Sequence, residues 1–182
     1  MNNPSATKTR NRVLTSYSRG KKSCLFTAAV AIGVVLQATF PLEIVAAEQP
    51  SLPSIISLDG TWKILFDPKN EGREAGWRRD EMFSSIADQR NIEVPSCWEL
   101  IEKDYEGVAF YRRKFIVPAS WRGKVIRLHF DAVNFLSEVW LNDQAVGVHE
   151  GGFTPFEFRI DKLIRPGEEN TLTLRVVGPI LL

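Results

Sequence analysis

LHFDAVNFLSEVWLNDQAVGVHEGGFTPFEF, residues 128–158, decides the fold. Apolar side chains recur at every second position: Leu128 and Phe130, then Val139 and Leu141, then Phe156 and Phe158. A period of two sends successive side chains to opposite faces of a strand, so one face is buried and the other is wet. Glu138, Trp140 and Asn142 fall opposite Val139 and Leu141. Asn142-Asp143 interrupts the alternation and signals a hairpin turn, because both residue types tolerate the left-handed backbone of tight turns. AVGVH, residues 145–149, follows as the returning strand. Gly151 and Gly152 then free the backbone for positive φ at a corner. Pro155 stiffens the exit, and Phe153, Phe156 and Phe158 are expected to fill a core.

The same period extends outward in both directions. Asp59-Gly60 opens a strand in which Trp62, Ile64 and Phe66 share one face, and Asp67-Pro68 ends it. Residues 69–89 carry charges, glycines and Trp77 without a clean period, and read as a long loop with one helical turn near residues 80–83. NIEVPSCW, residues 91–98, is a short strand stopped by Pro95. Further on, AFYRRKFIVP, residues 109–118, sets Tyr111, Arg113, Phe115 and Val117 against Phe110, Arg112, Lys114 and Ile116. Ile126, Leu128 and Phe130 share the core face of the next strand. Pro166-Gly167 makes the last turn before TLTLRVV, residues 171–177. Many short strands between turn signals, with no useful amphipathic helix after Ala47, predict an all-β sandwich or jelly roll. The trihead Arg112-Arg113-Lys114 is split between faces by the alternation, which predicts a solvated strand with paired charges.

Composition narrows the function. Hydrophobic residues make up 44% and charged residues 25% of the 182, the balance of an ordinary globular protein. The net charge of +1 hides an asymmetry, since the first 47 residues hold six Lys or Arg and a single acid, Glu43. The remainder has 17 basic and 21 acidic residues, a net of −4, with no basic stripe for nucleic acid. A basic stretch ending at Lys21-Lys22, the 12-residue apolar run LFTAAVAIGVVL at 25–36 and the small residues Val45-Ala46-Ala47 follow the order of a secretory signal. Residues 1–47 are expected to be removed after Ala47, leaving 48–182 exported to the periplasm, cell surface or medium. The apolar run falls short of the ~20 residues that span a bilayer, so no stable membrane span is expected after processing. Cys24 would leave with the signal. Cys97 would remain alone, without a disulfide, as a small buried residue. His129, His149 and Cys97 are too dispersed for a metal site, and no glycine loop for phosphate is present.

Five segments stand in an order that resembles the N-terminal sugar-binding domain of glycoside hydrolase family 2, the family of β-galactosidases, β-glucuronidases and β-mannosidases. They are SLDGTWKILFDP at 57–68, IEVPSCWE at 92–99, YEGVAFYRRKFIVP at 105–118, the block at 128–158, and PGEENTLTLRVV at 166–177. The resemblance implies a galactose-binding-domain-like jelly-roll β-sandwich over residues 48–182. It also implies that the chemistry lies on a later (β/α)8 barrel carrying two glutamates, acid/base and nucleophile of a retaining mechanism. This chain stops before any barrel, so the resemblance implies a domain cut short at its C-terminal end, inactive alone, with no catalytic residue, cofactor or metal of its own. The partners implied are carbohydrate and a catalytic barrel domain or chain.

Within the resemblance, two loops face the sugar. They match residues 103–106 and 149–151 here, and Asp104 and Glu150 are the expected sugar contacts, since an ionised carboxylate offers two acceptor oxygens to hydroxyls. Many relatives carry an aspartate after the TPFEF-type run where this chain has Arg159, which puts that contact in doubt. Among the tryptophans, Trp62 lies on the apolar alternation and is expected in the core. Trp140 lies on the polar face of its strand and is the candidate stacking platform for a sugar ring. Glu150, Glu157 and Asp161 are not marked as a catalytic pair. Two other readings stay open: a free-standing, secreted, lectin-like module, and a gene fragment whose product folds poorly.

Overall fold

The computed structural model describes the backbone of residues 13–17 and the whole of residues 54–179. The apolar run at 25–36, Cys24 and the expected cleavage point after Ala47 lie outside them. The described strands are β1 (Val13–Tyr17), β2 (Gly60–Phe66), β3 (Arg90–Val94), β4 (Val108–Ile116), β5 (Val125–Phe130), β6 (Leu136–Leu141), β7 (Gln144–Glu150), β8 (Phe156–Arg159) and β9 (Glu169–Val177). One short helix, α1 (Asp80–Ser85), and two single 3-10 turns, Trp98–Leu100 and Ala119–Trp121, interrupt them. Among the described residues helix is almost absent, as the period-two patterning requires.

All described pairings are antiparallel, and they form two sheets. One has the order β3-β2-β4-β9-β6-β7 and the other β1-β5-β8. Between them lies a single apolar core. Trp62, Ile64 and Phe66 of β2, Tyr111 and Phe115 of β4, Val139 and Leu141 of β6, and Leu172, Leu174 and Val176 of β9 meet Ile126, Leu128 and Phe130 of β5. These are the alternating faces read from the sequence, and two sheets packed on such faces make a β-sandwich. Trp62 donates its indole N–H to the Leu58 carbonyl at 2.8 Å, so its burial leaves no orphan donor. The Asn142-Asp143 turn has φ of 51° and 66°, the left-handed pair that a two-residue hairpin needs.

A second, smaller core lies on the other side of the six-stranded sheet. Residues 67–86 fold back over the outer face, where Phe83, Trp77 and Ile86 pack on Leu65, Val108, Phe110 and Val177. Asp67 anchors the start of this cover. Buried at 2% exposure, it accepts the N–H groups of Glu71 at 2.9 Å and Gly72 at 2.8 Å. Gly72 sits so close to the Trp77 and Phe110 rings that any Cβ would strike them.

Arg112 is where the expected solvated strand fails. It is 4% exposed, on the outer face under the cover. Its guanidinium donates to Asp80 Oδ1 at 2.8 Å, the Trp77 carbonyl at 3.2 Å, the Arg78 carbonyl at 2.7 Å and Thr173 Oγ1 at 3.1 Å, and it lies 4.3 Å over the Phe83 ring. Burial pulls its pKa down while Asp80 and Asp143 pull it back up. Lys114 does keep the expected paired charges, reaching Asp80 at 3.3 Å and Glu169 at 3.4 Å. Phe153 is a second correction, because at 83% exposed it fills no core. The corner at Gly151-Gly152 lifts it clear, and only Phe156 and Phe158 reach the core margin. Gly151 does take positive φ, 132°. Gly152 has a different reason, since a Cβ there would collide with the Asn134 side chain.

Candidate functional site

Strand direction gathers loops at one end of the sandwich. β2 lies between β3 and β4 and is antiparallel to both, so β3 and β4 run the same way. The connection between them must therefore return along the sheet. It does so through residues 95–107, with Trp98 buried in the core, Tyr105 partly buried against it, and their rings edge to face at 5.6 Å. The Tyr105 hydroxyl then donates to the Val108 carbonyl at 2.7 Å and accepts the Val108 N–H at 3.2 Å, which holds the loop tip at the start of β4. Burial raises the Tyr105 pKa, so the phenol stays protonated as this donor.

Val108 pairs with Val177, and Val177 pairs with Leu136, which pairs with Glu150. The starts of β4 and β6 thus stand beside the ends of β9 and β7. Backbone hydrogen bonds stitch the loops that leave them: Gly178 N–H to Gly107 at 2.8 Å, Phe135 N–H to Val177 at 3.0 Å, Gly151 N–H to Phe135 at 3.0 Å. A Cβ on Gly178 would sit 3.4 Å from both the Trp98 ring and the Gly107 carbonyl, a tight but ordinary contact.

The fold therefore brings the Asp104 and Glu150 loops to one end. Asp104 holds a left-handed backbone, φ 56°, and its carboxylate is 87% exposed with Lys103 Nζ at 4.0 Å. Glu150 is exposed at the last position of β7. Its neighbour His149 points to the inner side, stacked on Phe156 at 3.9 Å, and Phe156 stacks on Phe130 at 4.8 Å. This end presents exposed carboxylate oxygens, and such oxygens accept hydrogen bonds from vicinal hydroxyls. Glu102, by contrast, is held by Arg90 at 2.6 Å.

Trp140 does not join this end. It lies four residues along β6 from Leu136, about 13 Å at the usual strand rise. There it is half-buried on the outer face beside Arg73, Arg78 and Phe110. Arg159 is occupied, forking onto Asp161 with its second contact at 3.0 Å, and it holds the Asp161 carboxyl below the usual range. Cys97 is only partly buried. Burial and Glu99 raise its thiol pKa, the opposite of an activated nucleophile. Among the described residues no group of three His, Cys, Asp or Glu could hold a metal ion.

The sequence reading missed the polar layer beneath the cover. Arg175 donates to Glu138 Oε2 at 2.8 Å and Asn70 Oδ1 at 2.6 Å, while Arg73 reaches Glu138 Oε1 at 3.0 Å. It also missed Asn170, fully buried, which accepts from Asn142 and the Arg165 N–H and donates to the Arg165 and Glu168 carbonyls. The only signal was Asn in the PGEEN turn, a residue type that closes turns with its side chain.

The sugar-binding domain of the glycosyl hydrolases of family 2 matches residues 55–179. The chain belongs to this family. A β-glucuronidase from Paenibacillus borealis is 35% identical over 132 residues, 70% of this chain and 21% of that protein. A β-galactosidase from Thermoanaerobacter pseudethanolicus is 41% identical over 76 residues, 41% of this chain and 10% of that protein. The crystal structure of Ruminococcus gnavus β-glucuronidase superposes with a TM-score of 0.61 at 32% identity, over 66% of this chain and 21% of that one. This family 2 chain spans about a fifth or less of the relatives it matches.

Proposed function

We propose that this sugar-binding domain serves a family 2 glycoside hydrolase as its accessory domain, turning the loop end at Asp104 and Glu150 toward the glycoside. In this reading the hydrolysis of the glycosidic bond belongs to a catalytic barrel outside the span. The two-sheet architecture is read as a jelly roll, and residues 1–47 as an export signal. The observation that carries the reading is the gathering of two carboxylate-bearing loops at one end of the sandwich by the Val108–Val177–Leu136–Glu150 pairings.

The test is made on the full-length hydrolase that carries this span. Asp104→Asn and Glu150→Gln keep shape and remove charge, so each weakens a charge-assisted hydrogen bond to a hydroxyl. The expected outcome is a KM raised about tenfold, equal to ~1.4 kcal/mol, with an unchanged unfolding temperature. Unchanged KM and kcat/KM in both variants would sink the loop-end reading. For the export signal, N-terminal sequencing of the exported protein should begin at Glu48. A sequence beginning at Met1 would count against removal.

A further inference from the structure

We propose a second ligand site, on the outer face of the six-stranded sheet, that takes a single carboxylate-bearing sugar ring of the hexuronic acid class. The inference stands apart from the loop-end reading and uses none of its residues.

The site is a cleft of about 250 Å³ lined by Arg73, Arg78, Phe110 and Trp140. That volume lies below the ~300–1,000 Å³ of pockets for drug-sized molecules, and it suits one ring rather than a chain. Phe110 is fully buried, held edge to face by Trp77 at 5.5 Å. Trp140, half-buried, adds an indole. The Trp140 face is the one open to the apolar C–H face of a sugar ring, beside a floor closed by the buried Phe110.

The charges choose an acid over a neutral sugar. The Arg73 side chain is 65% exposed and gives Glu138 Oε1 one contact at 3.0 Å. Arg78 gives one N–H to the Asp143 carbonyl at 2.6 Å. Each guanidinium carries five N–H donors in a planar fork matched to a carboxylate, so both keep donors for a ligand. Neighbouring Glu138 accepts on both oxygens, from Arg73 on one and Arg175 on the other. Arg175 sits between the two on the sheet, paired in register with both Phe110 and Glu138. It is 5% exposed, and its Nε has no partner. Counted together, Arg73, Arg78, Arg112 and Arg175 face Glu138, Asp80 and Asp143, one positive charge in excess. That excess sits on a chain whose residues 48–182 are net negative. A bidentate Arg–carboxylate pair is the interaction this arrangement leaves room for.

The experiment titrates the whole chain with sodium D-glucuronate, D-glucose and sodium acetate in turn, read by calorimetry and tryptophan fluorescence. Glucuronate is expected to bind in the millimolar range and change the fluorescence. Glucose lacks the carboxylate and acetate lacks the ring, so each is expected to bind at least about tenfold more weakly. Arg73→Gln and Arg78→Gln are each expected to lose about tenfold in glucuronate affinity with an unchanged unfolding temperature. Glu157→Gln, on the three-stranded sheet and away from the cleft, is expected to leave it intact. No saturation by glucuronate at tens of millimolar overturns the proposal. So does acetate binding as well as glucuronate, which would make the cleft a bare anion site. Glucuronate binding that survives both arginine changes also overturns it, and loss on Asp104→Asn would then move the acid to the loop end.

Discussion

Arg175, Glu138 and Arg112 sit on strand positions that alternation assigns to solvent, yet all three are buried. Each is tolerated because its partners are complete or nearly so. Removing one partner from a buried pair leaves the other charge uncompensated, which costs about 3–5 kcal/mol. Glu138→Ala should therefore lower stability by ~3 kcal/mol or more in urea unfolding, whereas Glu157→Ala, whose pair with Arg127 is half-exposed, should cost below ~1 kcal/mol. Equal costs would place the Glu138 pair at the surface in solution. Asp161 offers a test in pH. Arg159 depresses its pKa in the folded chain, so its contribution is fully present above the ordinary aspartate value and fades as pH falls through the folded one. The unfolding temperature is expected to drop slightly in that acidic window, and Asp161→Asn should flatten that part of the profile. A variant profile that overlays the parent's would remove the pair from the account.

At the scale of elements, the cover at 67–86 is the informative piece. It has no periodic pattern, and α1 is too short to be stable alone. Its order comes from three tethers: Asp67 on the Glu71 and Gly72 amides, Arg112 on the Trp77 and Arg78 carbonyls, and Arg175 on Asn70. Asp67→Ala removes a charged acceptor from two N–H groups, a loss on the order of 2–4 kcal/mol. Brief trypsin digestion of that variant should cut after Arg73, Arg78 or Arg79, sites at which the parent stays uncut. Equal resistance in both proteins would mean that the arginine tethers suffice. The β6–β7 hairpin is the opposite case, since Asn142-Asp143 carries its own turn geometry. It was legible from two residues because a tight turn is a local event.

At the scale of the whole molecule, both apolar clusters, among the described residues, are built between Leu58 and Val177. β1 pairs along β5. A chain of residues 48–182 should therefore still unfold in one sharp thermal transition, and a broad, early one would favour a poorly folding fragment. Losing β1 uncovers the β5 edge, so this shorter chain should also associate more readily on concentration, visible by light scattering.

Local pattern by itself determined the strand faces, the hairpin, the burial of Trp62 and the two-sheet class, because each depends on side-chain direction along a few residues. The order of the five segments also carried the family. Only the tertiary structure decided which outward faces are truly wet. Alternation marks a side chain as facing away from one sheet's core. It cannot say that a patternless segment 30 residues earlier will return and cover it. That is why Arg112 reads as exposed from the sequence and is buried, whereas Phe153 is exposed because the Gly151-Gly152 corner lifts it clear. The same limit separated Trp140 from the loop end. Strand pairing across long stretches of chain, and not spacing along it, sets which residues share a surface.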